Sequence, residues 1–148
     1  MRFIKGPNTW MVHAAVQSLG LAVVTAGAGN GIYLALVTDQ LNAYHATIGL
    51  VLFSLVWIQA AGGLLGHILW QKRQRKSLLA HIHVWSGRAL ITLGMINGGP
   101  GLLLSSVASR GSYIAYGVIS GVMWLLFVSS AAVYETRRNQ RAPVVEKE

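Results

Sequence analysis

Residues 6–38, 40–71, 89–109 and 111–134 contain no Asp, Glu, Lys or Arg. Charge interrupts the 148 residues too rarely to give one globular core a polar shell, and 53% of them are apolar, which also excludes disorder. A helix crosses the ~30 Å hydrocarbon core with about 20 mostly apolar residues. The pattern therefore predicts four membrane helices, near residues 10–37, 43–70, 78–104 and 112–134. The first two, about 42 Å long at the 1.5 Å rise, must tilt or protrude. Trp10, Trp70, Trp85, Tyr44, Tyr113 and Tyr134 fall near helix ends, as interfacial aromatics do. The first apolar run is too long for a signal peptide, and no small-residue cleavage site follows it. The expected fold is an all-α, integral membrane, four-helix antiparallel bundle. Residues 1–9 form a segment before it and residues 135–148 a basic tail after it.

The basic residues set a topology. Arg2, Lys5, Lys72, Arg73, Arg75, Lys76, Arg137, Arg138, Arg141 and Lys147 fall on one side, and Arg110 alone on the other. Arg88 lies inside a span. An excess of Lys and Arg marks the cytoplasmic side, so a multi-pass protein with both termini in the cytoplasm is expected. The net charge of +8 does not indicate nucleic acid, because the basic clusters are short, flank spans and lack interleaved aromatics. With no cysteine, disulfides, zinc–cysteine sites and iron–sulfur clusters are excluded.

A step of four then three residues picks out one stripe on each of three helices. These read His13, Gln17, Gly20, Val24, Gly27, Gly31; then His45, Gly49, Leu52, Val56, Gln59, Gly63, Gly66; then His83, Gly87, Leu90, Gly94, Asn97, Gly101. The second and third share H-x-x-x-G and an amide fourteen residues after the His. Ionisable residues inside a span usually face the bundle interior and carry function. Neutral imidazole ligates iron, glycine one turn away leaves room for a flat macrocycle, and Gln or Asn donates hydrogen bonds in an apolar cavity. His13 and His83 start parallel helices from the same side, the arrangement of a bis-histidine haem b site. His45 starts the antiparallel helix and lies in the opposite half. Periodicity alone does not separate a haem site from a proton path.

The strings HVWSGRALITLGMINGGPGL from His83, YHATIGLVLFSLVWIQAAGGLLGH from Tyr44 and WMVHAAVQSLGLAVVTAGAGNGIYLAL from Trp10 resemble the cytochrome b-561 family. The likeness is greatest to the fungal type, whose membrane part can follow an extracellular DOMON-type domain. The resemblance implies four core helices with one haem-ligating His each, the first paired with the third and the second with the fourth. The strings here match the second, third and fourth, so His13 and His83 form one haem b pair. His45 is half of a second site with no partner in this chain. No segment matches the family's first core helix, with its HGxxM-like string. A shortened chain, a misplaced start, or a half-site completed by another subunit is therefore expected.

Other residues follow from these. The resemblance gives Arg88 a haem propionate or an anionic donor to bind, against snorkelling to the interface. Gln17, Gln59 and Asn97 are donors near haem or between helices. His67 is interfacial, and His81 points away from His83. Pro100 sits where helix three can end. The function expected is transmembrane electron transfer, from a cytoplasmic donor to an outer acceptor such as ferric iron or an extracellular redox domain. The competing readings are a haem-free carrier component or scaffold, and the membrane cytochrome b subunit of a dehydrogenase complex.

Overall fold

The computed structural model describes residues 9–73 and 78–140. Arg2, Lys5, Arg75, Lys76, Arg141 and Lys147 lie outside the described residues, as do nearly all of the N-terminal segment and the end of the basic tail. Four helices follow one another: α1 (Thr9–Val37), α2 (Tyr44–Arg73), α3 (Leu78–Leu104) and α4 (Arg110–Gln140). There is no strand among the described residues, so the fold is all-α. The charge pattern ends the last helix at Tyr134, but α4 runs on to Gln140. Glu, Arg and Gln are good helix formers, and Glu135 is tied back to α3.

The helix ends are closed by local chemistry. Asp39 takes a positive φ of 54° after α1, and the Gln40 N–H donates to the Ala35 carbonyl at 2.8 Å. This closes the helix with a left-handed residue, a conformation Asp tolerates better than most. Ser109 caps α4, its Oγ accepting the Ser112 N–H at 3.2 Å.

Consecutive helices pack antiparallel: α1 on α2, α2 on α3, and α3 on α4. Among the described residues the backbones of α1 and α3 do not approach one another, nor does α4 approach α1 or α2. The bundle is thus a folded row whose central pair, α2–α3, has the most extensive interface. Among the described residues only Ala35 and Asn97 are buried, whereas Leu19, Val23, Ile58, Leu64, Ile96 and Leu126 stand exposed. Side chains of this kind need a hydrocarbon solvent. α1, α2 and α4 are each long and apolar enough to cross a bilayer, and the chain is an integral membrane protein. The equally regular α3 carries His81, His83, Arg88, Asn97 and Pro100.

α3 directs much of that polarity at its neighbours. Towards α4, Tyr113 donates to the Leu102 carbonyl at 3.3 Å and Tyr116 to that of Met95. Trp124 Nε1 donates to Thr92 Oγ1 at 3.2 Å, and Arg88 pairs with Glu135 at 2.7 Å. α3 runs through Pro100 to Leu104, the end expected from the sequence. Proline removes the N–H that the Ile96 carbonyl would accept. On either side, the Met95 and Asn97 carbonyls accept side-chain donors from α4 and α2, bracing the weakened turn.

The Arg88–Glu135 pair gives a direct test of the α3–α4 contact. Glu135→Ala leaves the guanidinium without its carboxylate and should destabilise the protein by about 1.5–3 kcal/mol, the range for hydrogen bonds to charged groups. The exchange Arg88→Glu with Glu135→Arg should recover most of the loss. Unfolding in detergent, followed by circular dichroism, measures both.

Candidate functional site

Two constellations occupy the two ends of the α2–α3 interface, built from the same residue types. At one end are His45 and Gly49 of α2 with Asn97 and Gly101 of α3. At the other are His83 and Gly87 of α3 with Gln59 and Gly63 of α2. Each residue on α3 stands 38 positions after its counterpart on α2. Because the helices are antiparallel, this offset makes the contacts reciprocal, as a two-fold axis across the interface would. The shared H-x-x-x-G string is thus a repeat of contacts and not only a likeness of helix type.

At the first end the His45 ring lies over Gly101. A Cβ there would stand 2.7 Å from His45 Cε1, too close for any side chain. His45 Nδ1 is 2.9 Å from the Asn97 carbonyl, and Asn97 Nδ2 donates to the His45 carbonyl at 3.2 Å. A carbonyl only accepts, so Nδ1 carries the proton and Nε2 of the neutral ring keeps its lone pair. An apolar pocket of about 250 Å³ lies beside this histidine. Gly27, Gly31 and Ala35 of α1, Gly49 and Phe53 of α2, and Gly101 of α3 help to line it. The small residues of the α1 stripe therefore border space here.

At the second end the His83 ring lies over Gly63, where a Cβ would stand 2.7 Å from Cε1. Gln59 Nε2 donates to the His83 carbonyl at 2.5 Å, and Ser86 Oγ donates to Gln59 Oε1 at 2.8 Å. The Gln59 amide rests on Gly87, 2.8 Å from where a Cβ would be. His83 Nδ1 is buried and has no hydrogen-bond partner, and the same is true of Asn97 Oδ1.

His13 and Gln17 occupy exposed turns of α1. The Trp10 ring stacks on His67 with centroids 4.6 Å apart, and His67 is one turn beyond Gly63. His13, one turn from Trp10, thus lies at the same end of α2 as His83. His67 also faces Trp70 at 6.2 Å, and exposed His81 stands 6.2 Å from the Trp85 ring. Arg88 is held on two sides, by Glu135 and by the Trp85 ring 4.8 Å from its guanidinium carbon. Among the described residues no three His, Cys, Asp or Glu side chains gather as a metal-chelating group. Each histidine therefore offers one nitrogen from one helix.

Sequence reasoning passed over Ser86 and the partner of Arg88. The signal for the second was present: Glu135 is the single acidic residue between Asp39 and Glu146. Ser86 carries no such mark, because serines in spans usually bond back to their own helix.

The steric roles of the glycines are open to test against neighbours on the same helices. Gly63→Ala and Gly101→Ala should each lose about 1–3 kcal/mol by overpacking against an imidazole. Gly62→Ala and Gly99→Ala, with nothing within 4 Å of the new methyl, should be neutral or stabilising. Thermal unfolding in detergent separates the two classes.

No curated protein and no solved structure matches the chain. The family model described as eukaryotic cytochrome b561 matches residues 1–109, which takes in α1, α2, α3 and both candidate ends and stops just before α4. The chain belongs to the eukaryotic cytochrome b561 family.

Proposed function

We propose that this protein carries electrons across a membrane through haem b, as membership of its family implies, with His13 and His83 as ligands at one end and His45 at the other. The observation that carries the reading is the pair of imidazoles at opposite ends of α2–α3, each seated on a glycine of the facing helix. His45 lies 18 residues from Gly63 along α2, about 27 Å at the helical rise, close to the thickness of the hydrocarbon core. Two such sites bring a redox centre near each membrane face.

The residues present fit the group. Axial ligation needs a neutral imidazole with a free lone pair, and the Asn97 carbonyl fixes His45 in that tautomer. The unpartnered Nδ1 of His83 is the kind of buried polar atom that a bound group would explain. The apolar pocket beside His45 offers the small residues and low polarity that a macrocycle edge requires.

When bound, haem b supplies a one-electron iron couple whose potential responds to axial ligands, hydrogen bonds and burial. The protein's own part is to hold the rings, exclude water with the apolar α1, α2 and α4, and fix the His45 tautomer. A second ligand opposite His45 would come from a further helix, of this protein or of a partner subunit. By the charge pattern both termini, Arg88 and the His13–His83 site face the cytoplasm, where an anionic donor would deliver electrons. The outer end would pass them to an acceptor such as ferric iron, or to an attached redox domain of the fungal DOMON-associated type. Gln17 and Asn97 would border the two haems, and an anionic donor or propionate would share Arg88 with Glu135. α3 completes the membrane crossing despite its polar residues.

A pyridine haemochrome count per chain, with reduced-minus-oxidised spectra, tests this. Haem b should be present, and His83→Ala or His13→Ala should remove one equivalent that His45→Ala leaves in place. Protein free of haem b would overturn the reading in favour of a haem-free carrier or scaffold. Co-purification of a soluble dehydrogenase with the haem would favour a subunit of a larger complex.

A further inference from the structure

The amides at the two ends do the same work from opposite helices. Asn97 of α3 donates to the His45 backbone carbonyl, and Gln59 of α2 donates to that of His83. Both carbonyls belong to the residue whose ring sits on the opposite helix's glycine. An amide that grips a histidine's own backbone fixes where its Cα stands relative to the facing helix. The ring's seat on Gly63 or Gly101 follows from that.

The ends differ in how the amide is aimed. At the His45 end the histidine completes the exchange itself, returning Nδ1 to the Asn97 carbonyl, while Asn97 Oδ1 has no partner. At the His83 end the ring nitrogen makes no such return, and Gln59 is aimed instead by Ser86. Gln59 has one more rotatable bond than Asn97 and needs a second contact to fix its amide plane. With Oε1 accepting from Ser86, Nε2 is the atom turned towards His83. Ser86 Oγ also lies 2.6 Å from the Ile82 carbonyl, the usual bond of a serine to its own helix. One hydroxyl proton is thus shared between the helix and the Gln59 oxygen, which has no other donor.

We propose that Ser86 and Gln59 are positioning residues for His83: the serine hydroxyl aims the glutamine amide, and the amide holds the histidine backbone so that its ring is set on Gly63. Asn97 does this alone for His45. The proposal deepens the haem reading and rests on it for the haem-linked measurements, but the contacts themselves need no haem.

The experiment has two arms on the detergent-purified chain. In the first, the protein is treated with diethylpyrocarbonate and each histidine's modification rate is read by mass spectrometry. Gln59→Leu should raise the His83 rate about fivefold, the equivalent of one lost hydrogen bond, with His45 and His81 unchanged. Ser86→Val should move it in the same direction, and Ser86→Thr, which keeps the hydroxyl, should match the unmodified chain. Asn97→Leu should expose His45 and not His83. In the second arm, the midpoint potential and low-spin resonance of the haem lost in His83→Ala should shift in Gln59→Leu and Ser86→Val, and return in Ser86→Thr. An unchanged His83 rate in Gln59→Leu, with helix content retained, overturns the proposal. If Gln59→Leu fails to fold, a Ser86→Val rate equal to that of Ser86→Thr overturns it instead. Protein without haem but with the expected modification pattern overturns the electron-transfer reading and leaves the positioning role standing.

Discussion

The close approach of α2 and α3 is the constraint on which the rest of the molecule depends. Between helices in hydrocarbon the hydrophobic effect supplies almost nothing, because lipid tails are as apolar as leucine. Association must come from packing and from hydrogen bonds that the bilayer cannot satisfy. Here both are built from the same few residues. Gly63 and Gly101 let the helices come close enough for an imidazole to lie on bare backbone, and at that separation Gln59 and Asn97 reach the opposing carbonyls. Either feature without the other would fail. A larger residue at Gly63 would push the helices beyond amide reach, and without the amides nothing would fix the register that brings glycine under histidine.

This coupling explains the weight of polar groups on one helix. α3 carries two histidines, an arginine, an asparagine and a proline, yet it is helical from Leu78 to Leu104. It stands between two donors of hydrogen bonds. α2 braces it through Gln59 and His45, and α4 through Tyr113, Tyr116 and Trp124. α1 is the opposite case. Its stripe of small residues faces the pocket near His45 at one end, while His13 and Gln17 are exposed at the other.

Much of this was legible in the residues alone. Charge-free runs located the four helices, because a span must exclude charge whatever its neighbours are. The histidines and amides of the stripes on helices two and three, with Gly49, Gly63, Gly87 and Gly101, meet across α2–α3, because residues at that spacing share one face of a helix. Their reciprocity was less visible. It appears only when an offset of 38 is combined with antiparallel packing, and stripe-reading treats each helix separately. Arg88 read either as a cation for an anionic ligand or as a snorkelling side chain, and its carboxylate partner went unseen because it lies 47 residues away on another helix. The pattern takes helix three through Pro100 to its observed end, but the donors that support the proline's turn come from α2 and α4, which no local rule includes. In each case the missing information was tertiary, a partner supplied by a different helix.

The Arg88–Glu135 pair also bears on how the molecule enters its bilayer. α3 alone brings an unneutralised guanidinium, which is costly wherever it lies below the membrane interface. Among the described helices α1, α2 and α4 meet the length and apolar standard for a span, while α3 carries two histidines, an asparagine and a proline besides. α4 meets that standard and carries the carboxylate. The economical order of assembly during synthesis is therefore not helix by helix. Paired as a hairpin, α3 and α4 offer the bilayer a cancelled charge, which α3 inserted by itself would not.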